Sequence, residues 1–131
     1  SILYHRLGYV SYPLKLICGS FPLYIPCKKI LMEGVGMEHP YNTFLNARFI
    51  GKNFTAMHSV TIGMHSGGIP TIGDNVFIGC GACILENISI GNNVKIGANT
   101  VVVKNVPDNS TVVGNPAYLV KLNGKKVNIK L

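Results

Sequence analysis

Proton transfer near neutral pH is the chemistry this chain is best equipped for, and its four histidines are the groups that would perform it. An imidazole can take a proton from a hydroxyl at physiological pH because it titrates in that range. The four positions differ. His5 falls in a loosely helical stretch and reads as a surface or packing residue. His39 follows Glu38 just ahead of a strongly periodic region. His58 lies within that region at a phase that points away from the core, towards solvent or a neighbouring subunit. His65 opens an irregular stretch, His65-Ser66-Gly67-Gly68, and loops carry function more often than regular elements do. Sulfur chemistry is a weaker prospect. Cys80 and Cys83 form a Cys-x-x-Cys, yet no second pair or nearby His completes a zinc set, and no His lies near them in sequence to generate a thiolate. They read as reduced structural thiols, and no metal is expected.

The element that must position these groups announces itself by a period of six. Ile50, Ala56 and Ile62 lead successive hexads, a four-residue slip intervenes between Met64 and Pro70, and Ile72, Ile78, Ile84, Ile90, Ile96 and Val102 resume the count. A period of six fits neither a helical stripe nor a plain alternating strand. It fits a chain that turns once per hexad. Three places after the lead stand Asn53, Asn75, Gly81, Asn87, Asn93, Asn99 and Asn105, types that tolerate positive φ at a corner. Four places after it stand compact groups such as Phe54, Val60, Val76, Ala82, Ile88, Val94, Thr100 and Val106, suited to a second inward position. Short strands joined by corners wind into a parallel β-helix whose coils hydrogen-bond to one another about 4.8 Å apart. The expected class is all-β, with a partly helical N-terminal arm at residues 1–37, coils and a closing segment at 38–121, and a basic tail at 122–131.

Composition narrows the partners. The 131 residues make one domain, and flat solenoid faces with ends in need of caps lead us to expect self-association. A hydrophobic content of 47% is accounted for by the inward ladder, since no run of about 18 apolar residues is present. The apolar Phe21 to Ile25 beside Lys28 and Lys29 leaves a peripheral membrane contact open. Twelve Lys and Arg against five acids give a net charge of +7, which suits an anionic partner such as a nucleotide cofactor, an acidic polymer or a membrane face. Nucleic acid is not expected, because no recognition helix is patterned and the basic residues are not interleaved with aromatics. The opening Ser1-Ile2-Leu3-Tyr4 has no signal-peptide pattern, and the expected location is cytoplasmic.

Ile72-Gly73-Asp74-Asn75-Val76-Phe77-Ile78-Gly79, the hexads through Ile96-Gly97-Ala98, and the closing Val106-Pro107 with Val113-Gly114-Asn115-Pro116-Ala117 resemble the hexapeptide-repeat acyltransferases. Within them the pattern is most similar to serine acetyltransferase and the O-acetyltransferases of polysaccharide clusters, from His39 to Lys121. The resemblance implies a left-handed coil, an exception to the usual crossover hand, and a homotrimer. It also implies direct transfer of an acetyl group from acetyl-CoA, a cosubstrate, to a hydroxyl. Glu38-His39 and the strands leading to Ser59-Val60-Thr61-Ile62-Gly63 match the stretch that makes His39 the general base. His65 occupies the loop that galactoside-type acetyltransferases enlarge to carry their base, and His58 is a third candidate because a trimer site can use two. On the donor side the resemblance puts the pantetheine arm along backbone near Cys80 and Ala98. Lys104 matches a family lysine near the nucleotide, while Tyr118 and Lys121 stand where relatives often carry Arg. Gly79, with Gly81 and Gly97, would let the ligand approach the backbone, though repeat geometry alone explains them.

Departures bear on the acceptor. The family's second His is here Ile69, before Pro70, and the Glu that partners it aligns near Asn46. The groups that hold free serine are not visibly supplied, so a saccharide hydroxyl of a surface polymer or its precursor is the expected acceptor, with serine as the alternative. Two other classes share the architecture. A γ-type carbonic anhydrase would need zinc-binding histidines at a spacing that His58 and His65 do not show, and a non-catalytic β-helix assembly module would keep the hexads and lose the base.

Overall fold

In the computed structural model, which describes residues 23–24, 34–39, 41–63 and 67–131, the hexads close into a three-sided parallel solenoid. Face A stacks β1 (Leu23–Tyr24), β3 (Thr43–Leu45), β6 (Thr61–Gly63), β9 (Cys83–Leu85) and β12 (Val101–Val102). Face B stacks β4 (Phe49–Ile50), β7 (Thr71–Ile72) and β10 (Ser89–Ile90), prolonged by a parallel bridge from Ile90 to Val106. Face C stacks β2 (Gly36–Met37), β5 (Thr55–Ala56), β8 (Phe77–Ile78), β11 (Lys95–Ile96) and β13 (Ser110–Val113). Sequence order therefore cycles through the three faces. Among the described residues there is no helix.

Register reproduces the count read from the sequence. Thr71 pairs with Ser89, Phe77 with Lys95 and Cys83 with Val101, a step of three hexads per coil. Phe49 with Thr71, Thr55 with Phe77 and Thr61 with Cys83 take a longer step, because the four-residue slip falls between β6 and β7. All nine lead residues are buried, as are Phe54, Val60, Val76, Ala82, Ile88, Val94, Thr100 and Val106. Each buried aliphatic side chain contributes about 1.5–3 kcal/mol, so this double column is the main source of cohesion between coils. The one polar member, Thr100, is satisfied by accepting a hydrogen bond from the Gly114 N–H at 3.1 Å.

The edge between faces B and C shows how corners are made. Asn53, Asn75, Asn93 and Asn109 all have φ between 53° and 56°, and their amides form a ladder in which each Nδ2 donates to the Oδ1 of the next at 3.0 Å. Beside it, Asp74, Asn92 and Asp108 each accept the backbone N–H of the preceding coil at 2.7–2.8 Å. Glycine after the lead is dictated by stacking: a Cβ on Gly73 would lie 2.7 Å from the Gly91 carbonyl oxygen.

Three expectations need correction. At the edge between faces A and B the corner is not taken at Asn87 or Asn105. Strand β9 runs on through Leu85, so Glu86 carries the positive φ, at 74°, and Asn105 serves as a side-chain acceptor for the Ser89 N–H at 2.9 Å. The stretch expected as a basic tail is ordered as a hairpin: β14 (Tyr118–Leu122) pairs antiparallel with β13, and β15 (Lys125–Lys130) pairs antiparallel with β14. The turn is Asn123-Gly124, both with positive φ, the two-residue arrangement whose twist matches flanking strands. The coils also begin earlier than residue 38, since β1 and β2 already stack on faces A and C. The helical reading of the arm and the apolar, basic stretch offered for membrane contact lie otherwise outside the described residues.

Candidate active site

Folding into coils makes direct neighbours of residues that stand one coil apart in sequence, and this gathers groups onto the edge between faces C and A. Descending that edge, the turn at His39 is followed by His58, then Cys80-Gly81, then Ala98-Asn99, then Gly114. Backbone hydrogen bonds tie the column together. Ser59 N–H donates to Tyr41 O at 2.7 Å, Gly81 N–H to His58 O at 3.1 Å, Asn99 N–H to Cys80 O at 2.9 Å and Val101 N–H to Gly114 O at 3.2 Å. His39 is exposed with φ 51°, and its carbonyl accepts from Tyr41 N–H at 2.6 Å. His58 is exposed one coil further on. Both imidazoles are thus open to a substrate on one edge, as a base requires. Among the described residues no carboxylate pairs with either imidazole.

Two features of this edge escape a reading of the linear sequence. His58 stands in the coil next to Cys80, although more than three hexads of sequence lie between them, so proximity in sequence was the wrong test for a thiol–imidazole pair. Tyr41, 48% exposed, shares the edge with the two histidines, its carbonyl also accepting from the Thr43 hydroxyl at 3.3 Å. Counting whole coils from His58 back to His39 would have found it.

The donor-side candidates fall in different places. Gly79, Cys80 and Ala98 lie together on the C–A edge. A Cβ on Gly79 would meet the Ala98 nitrogen at 2.7 Å, so coil stacking by itself demands glycine there, whatever ligand passes outside. Cys80 and Cys83 are half-buried free thiols. Tyr118 opens β14 opposite Val113, near the same edge, whereas Lys121 pairs with Thr111 towards the other end of the strand. Lys104 is exposed on the edge between faces A and B. His65 lies outside the described residues, and on the same edge as Lys104 a Cβ on Gly67 would sit 3.2 Å from a Glu86 carboxylate oxygen. Asn46 and Ile69, where the expected second dyad is missing, belong to the same edge, joined by the Arg48 N–H to Pro70 O bond at 2.7 Å. Among the described residues no three His, Cys, Asp or Glu side chains converge as a metal set. One chain therefore brings His39 and His58 together with part of the donor set and leaves Lys104 and Lys121 on other surfaces.

Coils and corners form a hexapeptide-repeat solenoid, and residues 69–104 match the family model described as bacterial transferase hexapeptide (six repeats). The coils are also similar to those of the serine acetyltransferases. The chloroplastic serine acetyltransferase 1 of Arabidopsis thaliana is 46% identical over 93 residues, covering 67% of this chain and 30% of the relative. The serine acetyltransferase of Staphylococcus xylosus is 48% identical over 82 residues, covering 60% of this chain and 38% of the relative. Among solved structures, that of Neisseria gonorrhoeae serine acetyltransferase in complex with serine superposes with a TM-score of 0.61 at 46% identity, over 64% of this chain and 36% of that one. The match thus spans about a third of the length of these relatives.

Proposed function

We propose that this protein is an acetyl-CoA-dependent O-acetyltransferase. The observation that carries the reading is the shared C–A edge, where two exposed imidazoles lie in line with Cys80 and Ala98 on successive coils. By the coil spacing, the His39 turn and Ala98 are separated by roughly 14 Å along the axis, room for an extended pantetheine arm to lie along the edge with its thioester beside a histidine. The acceptor hydroxyl oxygen attacks the thioester carbonyl carbon while His39 removes the hydroxyl proton. The C–S bond then breaks, and the CoA sulfur leaves and takes up a proton. Edge N–H groups would stabilise the developing oxyanion.

The relatives favour serine as acceptor, and serine O-acetylation is the first reading. A saccharide hydroxyl is the second, and a specific observation favours it. Among the described residues of the C–A edge, at 38–39, 41–42, 57–60, 79–82 and 97–100, Glu38 is the only charged side chain, and the exposed ring beside His39 is Tyr41. A zwitterionic acceptor needs charged partners for both its groups, whereas a neutral polyol needs amides, hydroxyls and an aromatic face. The proposal includes the homotrimer, which would bring another copy's edge, with Lys104, against the C–A edge, and a cytoplasmic place of action. Thiol release from acetyl-CoA, measured with serine and with a panel of sugars, tests it. Release with none of them, together with no binding of CoA, would reduce the protein to an assembly module.

A further inference from the structure

The end of face C carries a feature that acetyl transfer does not require. The outward row of this face runs Lys95, Thr111, Lys121, Lys126, each the register partner of the next. Beside the row, a depression of about 270 Å³ is lined by Asn93, Lys95, Asn109, Ser110, Thr111, Lys121 and Gly124. No carboxylate lines it. The nearest in sequence, Asp108, is engaged by the Asn92 N–H at 2.7 Å. Lys95 and Lys121 flank the Thr111 hydroxyl with their Cα atoms about 10 Å apart, so their long side chains can close on one small ion.

The asparagine ladder adds a directed donor. Its amides all point one way, Asn53 to Asn75 to Asn93 to Asn109, and aligned hydrogen bonds polarise one another. No coil follows Asn109, so the Nδ2 group at the polarised end has no further asparagine to serve, and Asn109 lines the depression. The hairpin turn is pinned against this spot by the Asn123 N–H to Asn109 O bond at 2.9 Å, and Gly124 forms part of the wall. Two ammonium groups, a hydroxyl and an amide N–H around an acid-free hollow are the complement of a tetrahedral oxyanion.

We propose that this hollow is an oxyanion site of phosphate type, with Lys95 and Lys121 supplying charge and Asn109 Nδ2 and Thr111 Oγ1 supplying direction. The test is a titration of the intact chain with sodium phosphate at constant ionic strength, followed by amide NMR. Binding should move the Asn109 side-chain amide and the backbone amides of Lys95 and Thr111. Asn109→Asp is the sharpest variant. Asp tolerates the left-handed corner and still accepts from Asn93, so the ladder stands while the donor becomes an acceptor. Asn109→Asp and Lys121→Gln should each weaken phosphate at least tenfold with circular dichroism unchanged, and Lys52→Gln, on a distant coil, should not. Equal phosphate affinity in Asn109→Asp, Lys121→Gln and the parent chain would overturn the proposal, as would shifts spread over all lysines alike. CoA and pantetheine then distinguish the sources of the anion. If CoA displaces phosphate and the variants weaken CoA but not pantetheine, the hollow holds the donor's own phosphates. If CoA leaves the phosphate-shifted amides untouched, it holds a separate phosphorylated or sulfated ligand. The readout is binding alone, so failure of acetyl transfer leaves it interpretable.

Discussion

At the scale of residues, the histidines carry a sharp expectation. If His39 is the base, His39→Ala should lower kcat by on the order of 10²-fold or more with little change in the KM for acetyl-CoA, because proton removal matters in the transition state and not in donor binding. Steady-state thiol release measures both. Full activity in that variant, with loss in His58→Ala, would move the role one coil along the same edge. The residue level was only partly legible in the sequence. His39 and His58 were visible as types, but their common edge follows from coil closure, which brings positions a full coil apart in sequence into adjacency. Gly79 carries two readings at once: the 2.7 Å contact a Cβ would make with the Ala98 nitrogen requires glycine for stacking, as repeat geometry leads us to expect, and ligand approach there stays a proposal.

At the scale of elements, the hexad was legible because each turn buries two residues at fixed phase, and nothing but a coil satisfies a six-residue repeat of that kind. Two devices hold the corners, and they can be separated. Gly73→Ala forces a methyl group against the Gly91 carbonyl at 2.7 Å and should destabilise by about 1–3 kcal/mol, the usual range for overpacking. Asn75→Gly keeps the positive φ without strain and removes two bonds of the amide ladder, from Asn53 and to Asn93, whereas Asn75→Ala removes the same two bonds and adds a left-handed alanine at a cost of about 1–2 kcal/mol. Urea denaturation should therefore rank Asn75→Ala below Asn75→Gly by about that amount, and equal midpoints would show that corner conformation is not what asparagine supplies. One departure from expectation lies where the repeat stops and one lies within it. Asn123-Gly124 is a strong hairpin signal, but lysine-rich strands offer no alternating apolar pattern, so the sequence points to a basic tail where β15 forms. Corner placement at Glu86 was hidden because it depends on how far β9 extends, and composition does not set that.

At the scale of the whole molecule, the distribution of candidate residues over two edges makes a prediction that a self-contained site would not. His39, Cys80 and Ala98 share the C–A edge, and Lys104 stands on the A–B edge of the same chain. If the active site forms where the C–A edge of one copy meets the A–B edge of the next, defects in His39 and Lys104 belong to different partners at each interface. His39→Ala and Lys104→Ala proteins should each be impaired alone, the second most clearly at low acetyl-CoA. Unfolded together and refolded as mixed oligomers, they should regain activity. With random mixing in equal amounts, about one interface in four pairs an intact His39 with an intact Lys104. Sites contained within single chains would give no recovery, because every chain in the mixture carries one defect. Sedimentation of the mixture, which should show one trimeric species, ties recovery to assembly. Recovery without trimers would break the link between the coil edges and the oligomer on which this reading of the solenoid depends.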